Sequence, residues 1–249
     1  MRIFFIFLTL IYSKSLFTKE INLKFEIDWK SVHLADLEWN IYLNKDKYSI
    51  DFLIKSYGIT DKIFKYKSIT NVEGIIVNNQ LHPLIYRSKT KSTKQDIYAY
   101  LNFDTSGQII DFDISKELND EKISQQNRII NQYKFFTDPI SQLVQYFLYQ
   151  TNSDRMIIDG LNIYTLKSND LIDEFFENNN PTIHTGTAHT MNIVFPFFQG
   201  LHKLNKKNNL KEIKMNFIEL EDIKIPIQYD IKSKKFFAKL YLKSFAIHD

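Results

Sequence analysis

The sequence predicts a mainly β protein: a curved antiparallel sheet, or an open or partial β-barrel, of about ten to twelve strands with one α-helix covering it over residues 138–150. Three observations predict this. Apolar and polar residues alternate with a period of two through most of the chain. The alternating stretches follow one another at hairpin spacing, without the long crossovers that parallel strands need. Once, in mid-chain, at "FTDPISQLVQYFLYQ" (Phe136 to Gln150), the spacing switches to that of a helix.

The first strand is "INLKFEID", with Ile21, Leu23, Phe25 and Ile27 on one face and Asn22, Lys24, Glu26 and Asp28 on the other. "DLEWNIYLN" repeats the pattern with Leu37, Trp39, Ile41 and Leu43, and "YSIDFLI" with Tyr48, Ile50, Phe52 and Ile54. "NKDK", Asn44 to Lys47, is a hairpin turn between those two. Further strands are expected at 63–70, 84–91, 97–103 and 108–114, the last two flanking the turn "DTSG". Past the helix they are expected at 157–167, 183–195, 210–220, 223–231 and 234–245. Pro226 cannot donate to a ladder, so its strand is expected at an edge. The polar run Ser115 to Lys134 reads as a long loop or weak helix, and Pro196 to Asn209 breaks the alternation while keeping its aromatics.

The helix carries one apolar stripe, Ile140, Leu143, Val144, Phe147 and Leu148, at i, i+3, i+4, i+7 and i+8. Asp138 is the expected N-cap and Pro139 suits the first helical position. A cap is worth about 1 kcal/mol, whereas each large buried side chain contributes roughly 1.5–3 kcal/mol. Packing therefore holds this helix, and the cap sets where it begins.

The N-terminus has the layout of a cleavable signal peptide over residues 1–15: Arg2, the apolar run Ile3 to Tyr12, then Ser13 and Ser15 at the small-residue positions. Roughly ten apolar residues are too few to span a bilayer of about 30 Å. Residues 16–249 then form a single β-rich domain, with no internal repeat and no Pro- or Ser-rich linker. Removing residues 1–15 takes Arg2 and Lys14 from 32 basic residues and leaves 30 against 29 acidic ones, a nearly neutral chain. The expected location is the periplasm of a Gram-negative bacterium. With 21 Phe and 14 Tyr the chain can bury a sizeable core without cross-links. Cysteine is absent, which excludes disulfides, cysteine catalysis, Cys-based zinc sites and a lipoprotein anchor. A formal charge of +3, widely scattered, gives no footprint for nucleic acid.

"FEIDWKSVHLADLEWNIYLNKDKYSI", "DPISQLVQYF", "IIDGLNIYTL" and "IPIQYDIKSKKFFAKLYLKSF" together resemble the exported bacterial proteins of the DUF3108 family, over roughly residues 20–245. The family pattern has a Cys before the strand written here as "TGTAHTMNIVF", and this chain lacks it, so no redox role is implied. The resemblance implies an envelope location and a β-rich fold, and no reaction.

Sites are sparse. His184, His189 and His202 do not have the spacing of a shared metal site on a strand or helix, so no metal or cofactor is expected. No nucleophile elbow, zinc-protease motif or phosphate loop occurs. Asp159-Gly160 reads first as a turn, Asp36 with Glu38 and Asp111 with Asp113 as solvated strand faces, and no catalytic residue is named. The leading expectation is a non-catalytic envelope protein holding a hydrophobic, lipid-like ligand or an envelope partner between sheet and helix. Its candidate binding residues are Trp39, Phe147, Leu148, Phe195, Phe197 and Phe198. Phe195, Phe197, Phe198 and Leu201 beside Lys203, Lys206 and Lys207 also suggest peripheral membrane contact. The alternatives are a hydrolase assembled from at least two of Asp138, Asp159, His184 and His189, and an assembly factor working through sheet edges.

Overall fold

The computed structural model describes residues 19–94, 96–115, 124, 127–128, 130–149, 155–169, 171–176, 184–200, 210–220, 223–233 and 236–249. The expected signal segment lies outside the described residues, as do most of 115–134 and the lysine-bearing part of 196–209.

In the N-terminal half the chain meanders through β1 (Lys19–Trp29), β2 (Val32–Leu43), β3 (Lys47–Ser56), α1 (Gly58–Ile63), β4 (Tyr66–Val77), β5 (Gln80–Ser92), β6 (Asp96–Phe103) and β7 (Ile109–Ile114). After β8 (Phe136–Thr137) comes α2 (Pro139–Tyr149), then β9 (Met156–Ile158), β10 (Asn162–Tyr164), β11 (Lys167–Ser168), β12 (Ile172–Phe176), β13 (Gly186–Val194) and β14 (Phe198–Gly200). β15 (Leu210–Leu220), β16 (Ile223–Ser233) and β17 (Phe237–His248) close the chain.

Thirteen of these strands make one sheet in the order β11-β13-β15-β16-β17-β1-β2-β3-β4-β5-β6-β7, with β12 also on β13. β1 pairs with β17 from Glu20↔His248 to Asp28↔Lys239, so the first and last strands meet in the middle of the sheet and an arm extends to each side. Among the described residues the two arms do not bond to each other, so the sheet is open. It is also strongly curled. α2 touches β3 and β5 on one arm and β16 on the other, although several strands separate them in sheet order. A small sheet, β14-β10-β9-β8, lies beside the helix and fills the rest of the concavity. The fold is therefore the expected curved antiparallel sheet with a covering helix. The strand count exceeds ten to twelve because β8 to β12 and β14 are only two to five residues long, too short for alternation to register.

Alternation located the long strands because it dictates their faces. Ile21, Leu23, Phe25, Leu37, Trp39, Ile41 and Ile50 are all buried on the concave side. Three expectations need correction. The strand expected over 63–70 begins only at Tyr66, because Gly58, at φ +58°, turns the chain out of β3 into the single helical turns of α1. The strand expected over 157–167 is three short strands, since Asp159-Gly160 breaks it. Asp159 Oδ1 accepts the Leu161 and Asn162 N–H groups at 2.8 and 2.6 Å, and Gly160 takes φ +88° against Ala99. Lastly, β16 is interior and Pro226 is buried. Its pairing with β17 runs only from Gln228 to Lys232, and β16 itself bulges at Ile227, between the pairs Asn216↔Gln228 and Phe217↔Pro226. Pro226 thus occupies a local edge inside a central strand, where its missing N–H leaves no bond unmade.

Candidate functional site

Two places combine polar and aromatic groups, one inside the curl and one outside. Inside, α2 is buried on nearly every side: Ser141, Gln142, Gln145 and Tyr146 are as buried as Ile140, Val144 and Phe147. Asp138, fully buried, caps it, with Oδ1 accepting the Ile140 and Ser141 N–H groups at 2.9 Å each. Its Oδ2 has no hydrogen-bond partner. Burial pushes this carboxyl up to about 6, against the downward pull of the Ser141 hydroxyl and the first-turn amides. Tyr48 reaches Ser141, hydroxyl to hydroxyl, at 2.7 Å. Gly74 allows this, since a Cβ there would fall 2.5 Å from the Tyr48 ring.

Gln145 is bound like a short piece of strand. Its Oε1 accepts the Leu81 N–H at 2.7 Å and its Nε2 donates to Asn79 O at 2.8 Å. Arg155 donates to Leu81 O and Gln80 Oε1, each at 2.8 Å, and its Nη2 lies 2.8 Å from His82 Nε2. Nothing in an alternation or heptad reading singles out Tyr48, Gly74, Gln145 or Arg155 for this polar belt. Its members come together only once the sheet has curled.

The residues expected to hold a guest are placed as follows. Trp39 and Phe147 are buried and pack edge to face at 5.6 Å, with Phe52 at 5.3 Å from Trp39 on its other side. Where Ser141, Gln142 and Gln145 meet β5, the described residues leave no space that a water molecule could enter. Leu148 is half-buried at the helix's far end. Phe195 and Phe198 lie 5.9 and 5.8 Å from Tyr164, while Phe197 is exposed.

Among the described residues no hydrogen bond joins any two of Asp138, Asp159, His184 and His189. Asp138 caps a helix and Asp159 closes a turn. His184 Nε2 lies 3.1 Å from Thr187 O, and His189 pairs with Asp173 at 2.6 Å on the outer surface. The arrangement required for the hydrolase reading is not assembled.

The outer site lies where β1, β15, β16 and β17 end together. An open groove of about 1260 Å³ is lined by Trp29, Phe236, Phe237 and Tyr241 among charged side chains. Trp29 stacks on Phe236 at 6.4 Å. Lys239 Nζ lies 5.9 Å from the ring centres of both Phe237 and Tyr241. Glu26 is paired with Lys243 at 2.9 Å and Glu212 with Lys232 at 3.5 Å. Lys30, Lys211 and Lys239 line the same groove with no carboxylate partner among the described residues, against one unpaired acid, Asp28.

Alternation would have turned Trp29 inward with Ile21, Leu23, Phe25 and Ile27. Trp29 is instead left 38% exposed because it is the last residue of β1, beside the positive-φ turn Lys30-Ser31, where it stacks on Phe236. The β-rich class of protein is thus an open curled sheet closed by its own helix, with an aromatic and cationic groove on the outside. Residues 24–140 match the model of DUF3108, described as a protein of unknown function, and this match supports the family assignment. It takes in "FEIDWKSVHLADLEWNIYLNKDKYSI" and the helix start Asp138-Pro139-Ile140. It stops before "IIDGLNIYTL" and the closing strands. The chain is also similar to a β-barrel-like protein of the domain of unknown function DUF1849 from Brucella abortus, at 8% identity, TM-score 0.43, over 93% of this chain and 98% of that one. No curated protein matches the sequence. Among the described residues no helix is long and apolar enough to cross a membrane.

Proposed function

We propose that this chain is an exported, non-catalytic cell-envelope protein that holds an anionic, lipid-like amphiphile in its outer groove. One observation carries the reading: an open volume of about 1260 Å³ lined by aromatic rings and by Lys30, Lys211 and Lys239, which have no carboxylate partner among the described residues. The volume suits a ligand of lipid size. The rings of Trp29, Phe236, Phe237 and Tyr241 offer apolar faces for an acyl chain, and Lys30, Lys211 and Lys239 offer charge for a phosphate or carboxylate head. Export rests on the layout of residues 1–15; intact mass of protein from a periplasmic fraction checks it by showing whether that segment is gone.

The two tryptophans make the binding test specific. Trp39 is already buried, so only Trp29 can respond to a ligand in the groove. Titration with a short-chain phosphatidylglycerol, below its micelle concentration, should shift the tryptophan emission to the blue. Trp29→Phe should abolish the shift, and Lys211→Gln with Lys239→Gln should weaken binding about tenfold or more. An unchanged spectrum in the wild type, or an undiminished shift in Trp29→Phe, would overturn the groove as the site.

A further inference from the structure

We propose that one end of the sheet, built from the β1–β2 turn, α1 and the β5–β6 turn, seats the protein on an anionic bilayer surface. This goes beyond the groove, which it meets only at Trp29 and Lys30.

In an antiparallel meander alternate turns fall at the same end. The two ends of β1 to β7 are unlike. At one end lie Asn44 to Asp46, Asn78 with Asn79, and Asp104 to Gly107, polar turns at which Val77, Ile110 and Phe135 are the exposed large apolar side chains. The other end exposes Trp29, Val32, Tyr57, Ile59, Ile63 and Phe64. These form a continuous rim. Trp29 is opposite Val32 across the turn, His33 stacks on Tyr57 at 4.2 Å, Tyr57 leads into α1, and Phe64 stacks on Tyr66 at 6.5 Å.

α1 is the clearest part of this rim. Six residues make too short a helix to persist on propensity, and this one buries none of its side chains. Ile59 and Ile63, at i and i+4 on one face, are 66% and 74% exposed. A run of large apolar side chains held out in water on rigid strand ends marks a surface that something covers.

Charge identifies the cover. Lys30, Lys62, Lys65 and Lys94 project from the same turns, exposed and without ion pairs. Of the acids beside these turns, Asp61 already accepts the Ser56 hydroxyl at 2.6 Å and Asp96 stands opposite Lys91 on β5, which leaves the lysines in excess. Lys30 Nζ sits 4.9 Å over the Trp29 ring and Lys94 Nζ 5.8 Å over Phe64. Aromatic rings with lysines alongside are the composition of side chains at headgroup depth, where rings sit among the headgroups and ammonium groups reach the phosphates. Protein–protein interfaces are depleted in lysine, so the same surface suits another protein less well.

Sedimentation of the full chain with vesicles tests this, comparing phosphatidylglycerol in phosphatidylcholine with phosphatidylcholine alone. Wild type and variants share one N-terminus, so differences between them report the rim. The wild type should prefer the anionic vesicles and lose that preference in high salt. Ile59→Asp with Ile63→Asp should lower binding about tenfold or more with an unchanged melting temperature, because both side chains already face water. Lys62→Gln, Lys65→Gln and Lys94→Gln together should cost about a hundredfold on anionic vesicles alone. Binding unaffected by either set overturns the proposal. So does a concentration-dependent dimer that Ile59→Asp and Ile63→Asp dissolve while vesicle binding is unchanged. The Trp29 emission shift with short-chain phosphatidylglycerol should persist in these variants, which separates failure of the rim from failure of the groove.

Discussion

Trp39 and Trp29 stand ten residues apart on neighbouring strands and have opposite fates. Trp39 is enclosed by Phe52, Phe147 and Tyr229 inside the curl, its indole nitrogen buried and unpartnered. Trp29, 38% exposed, stacks on a single ring and carries a lysine on its face. The inside of this sheet uses these aromatic residues to close against the helix. The outer groove keeps its rings partly open and, among the described residues, leaves Lys30, Lys211 and Lys239 without a carboxylate partner. Aromatic content alone does not distinguish a core from a working surface; what distinguishes them is whether each ring's neighbours are already in place.

The largest expected effect breaks that pair apart. Trp39→Ala should destabilise by about 3–5 kcal/mol, since a large buried ring leaves a cavity its rigid neighbours cannot fill. Trp29→Ala should cost about 1 kcal/mol, the worth of one partly exposed stacked pair. Urea unfolding of the two variants measures the difference. Equal losses would mean that Trp29 belongs to the core and that the groove is part of the packing.

Next comes pH. The Asp138 carboxyl, pushed up to about 6 by burial, holds its proton in the folded state over a range where the unfolded chain, near 3.8, has released it. Its contribution is therefore fully present below about pH 4 and is lost as pH rises through about 6. At about 1.36 kcal/mol per pH unit the loss is on the order of 3 kcal/mol. Asp159 is shifted in the same direction by burial and adds to the slope. Asp138→Asn keeps a good N-cap but cannot ionise. Its stability should fall less between about pH 4 and 6 than the wild type's, with the gap widest near neutrality. Unfolding midpoints across that range decide; parallel curves would show that Asp138 reaches water.

What was legible in the sequence follows from the physics of each feature. Long strands with one wet face announce themselves, so β1 to β3, β6, β7 and β15 lie close to their expected bounds. The helix start was legible for a similar reason: Asp138 and Pro139 do local work, and both stand where the cap geometry needs them. The polar side of α2 was not. Gln142 and Gln145 lie off the apolar stripe and are nonetheless buried, because the sheet curls past the helix and offers Leu81 N–H and Asn79 O to Gln145. The groove escaped for the opposite reason. Trp29 ends β1 at the Lys30-Ser31 turn and is left exposed against Phe236, and period-two counting does not mark where a strand stops.

The smallest effects test how the inside handles its polar atoms. Tyr48 and Tyr229 are both buried, and burial raises both phenols above their ordinary range. Only Tyr48 has a hydrogen-bond partner, Ser141, whose hydroxyl also faces the Asp138 carboxyl. Tyr48→Phe should therefore cost about 0.5–1.5 kcal/mol, the net worth of one hydrogen bond. Tyr229→Phe removes a hydroxyl that is already unpartnered and keeps the ring, 5.8 Å from Phe25 and 6.4 Å from Trp39. Its stability should stay within about 0.5 kcal/mol of the wild type or rise, because desolvating that hydroxyl gained no bond in return. A clear loss in Tyr229→Phe would place a hydrogen-bonding partner beside Trp39, and the interior would then have to admit water where its rings are expected to exclude it.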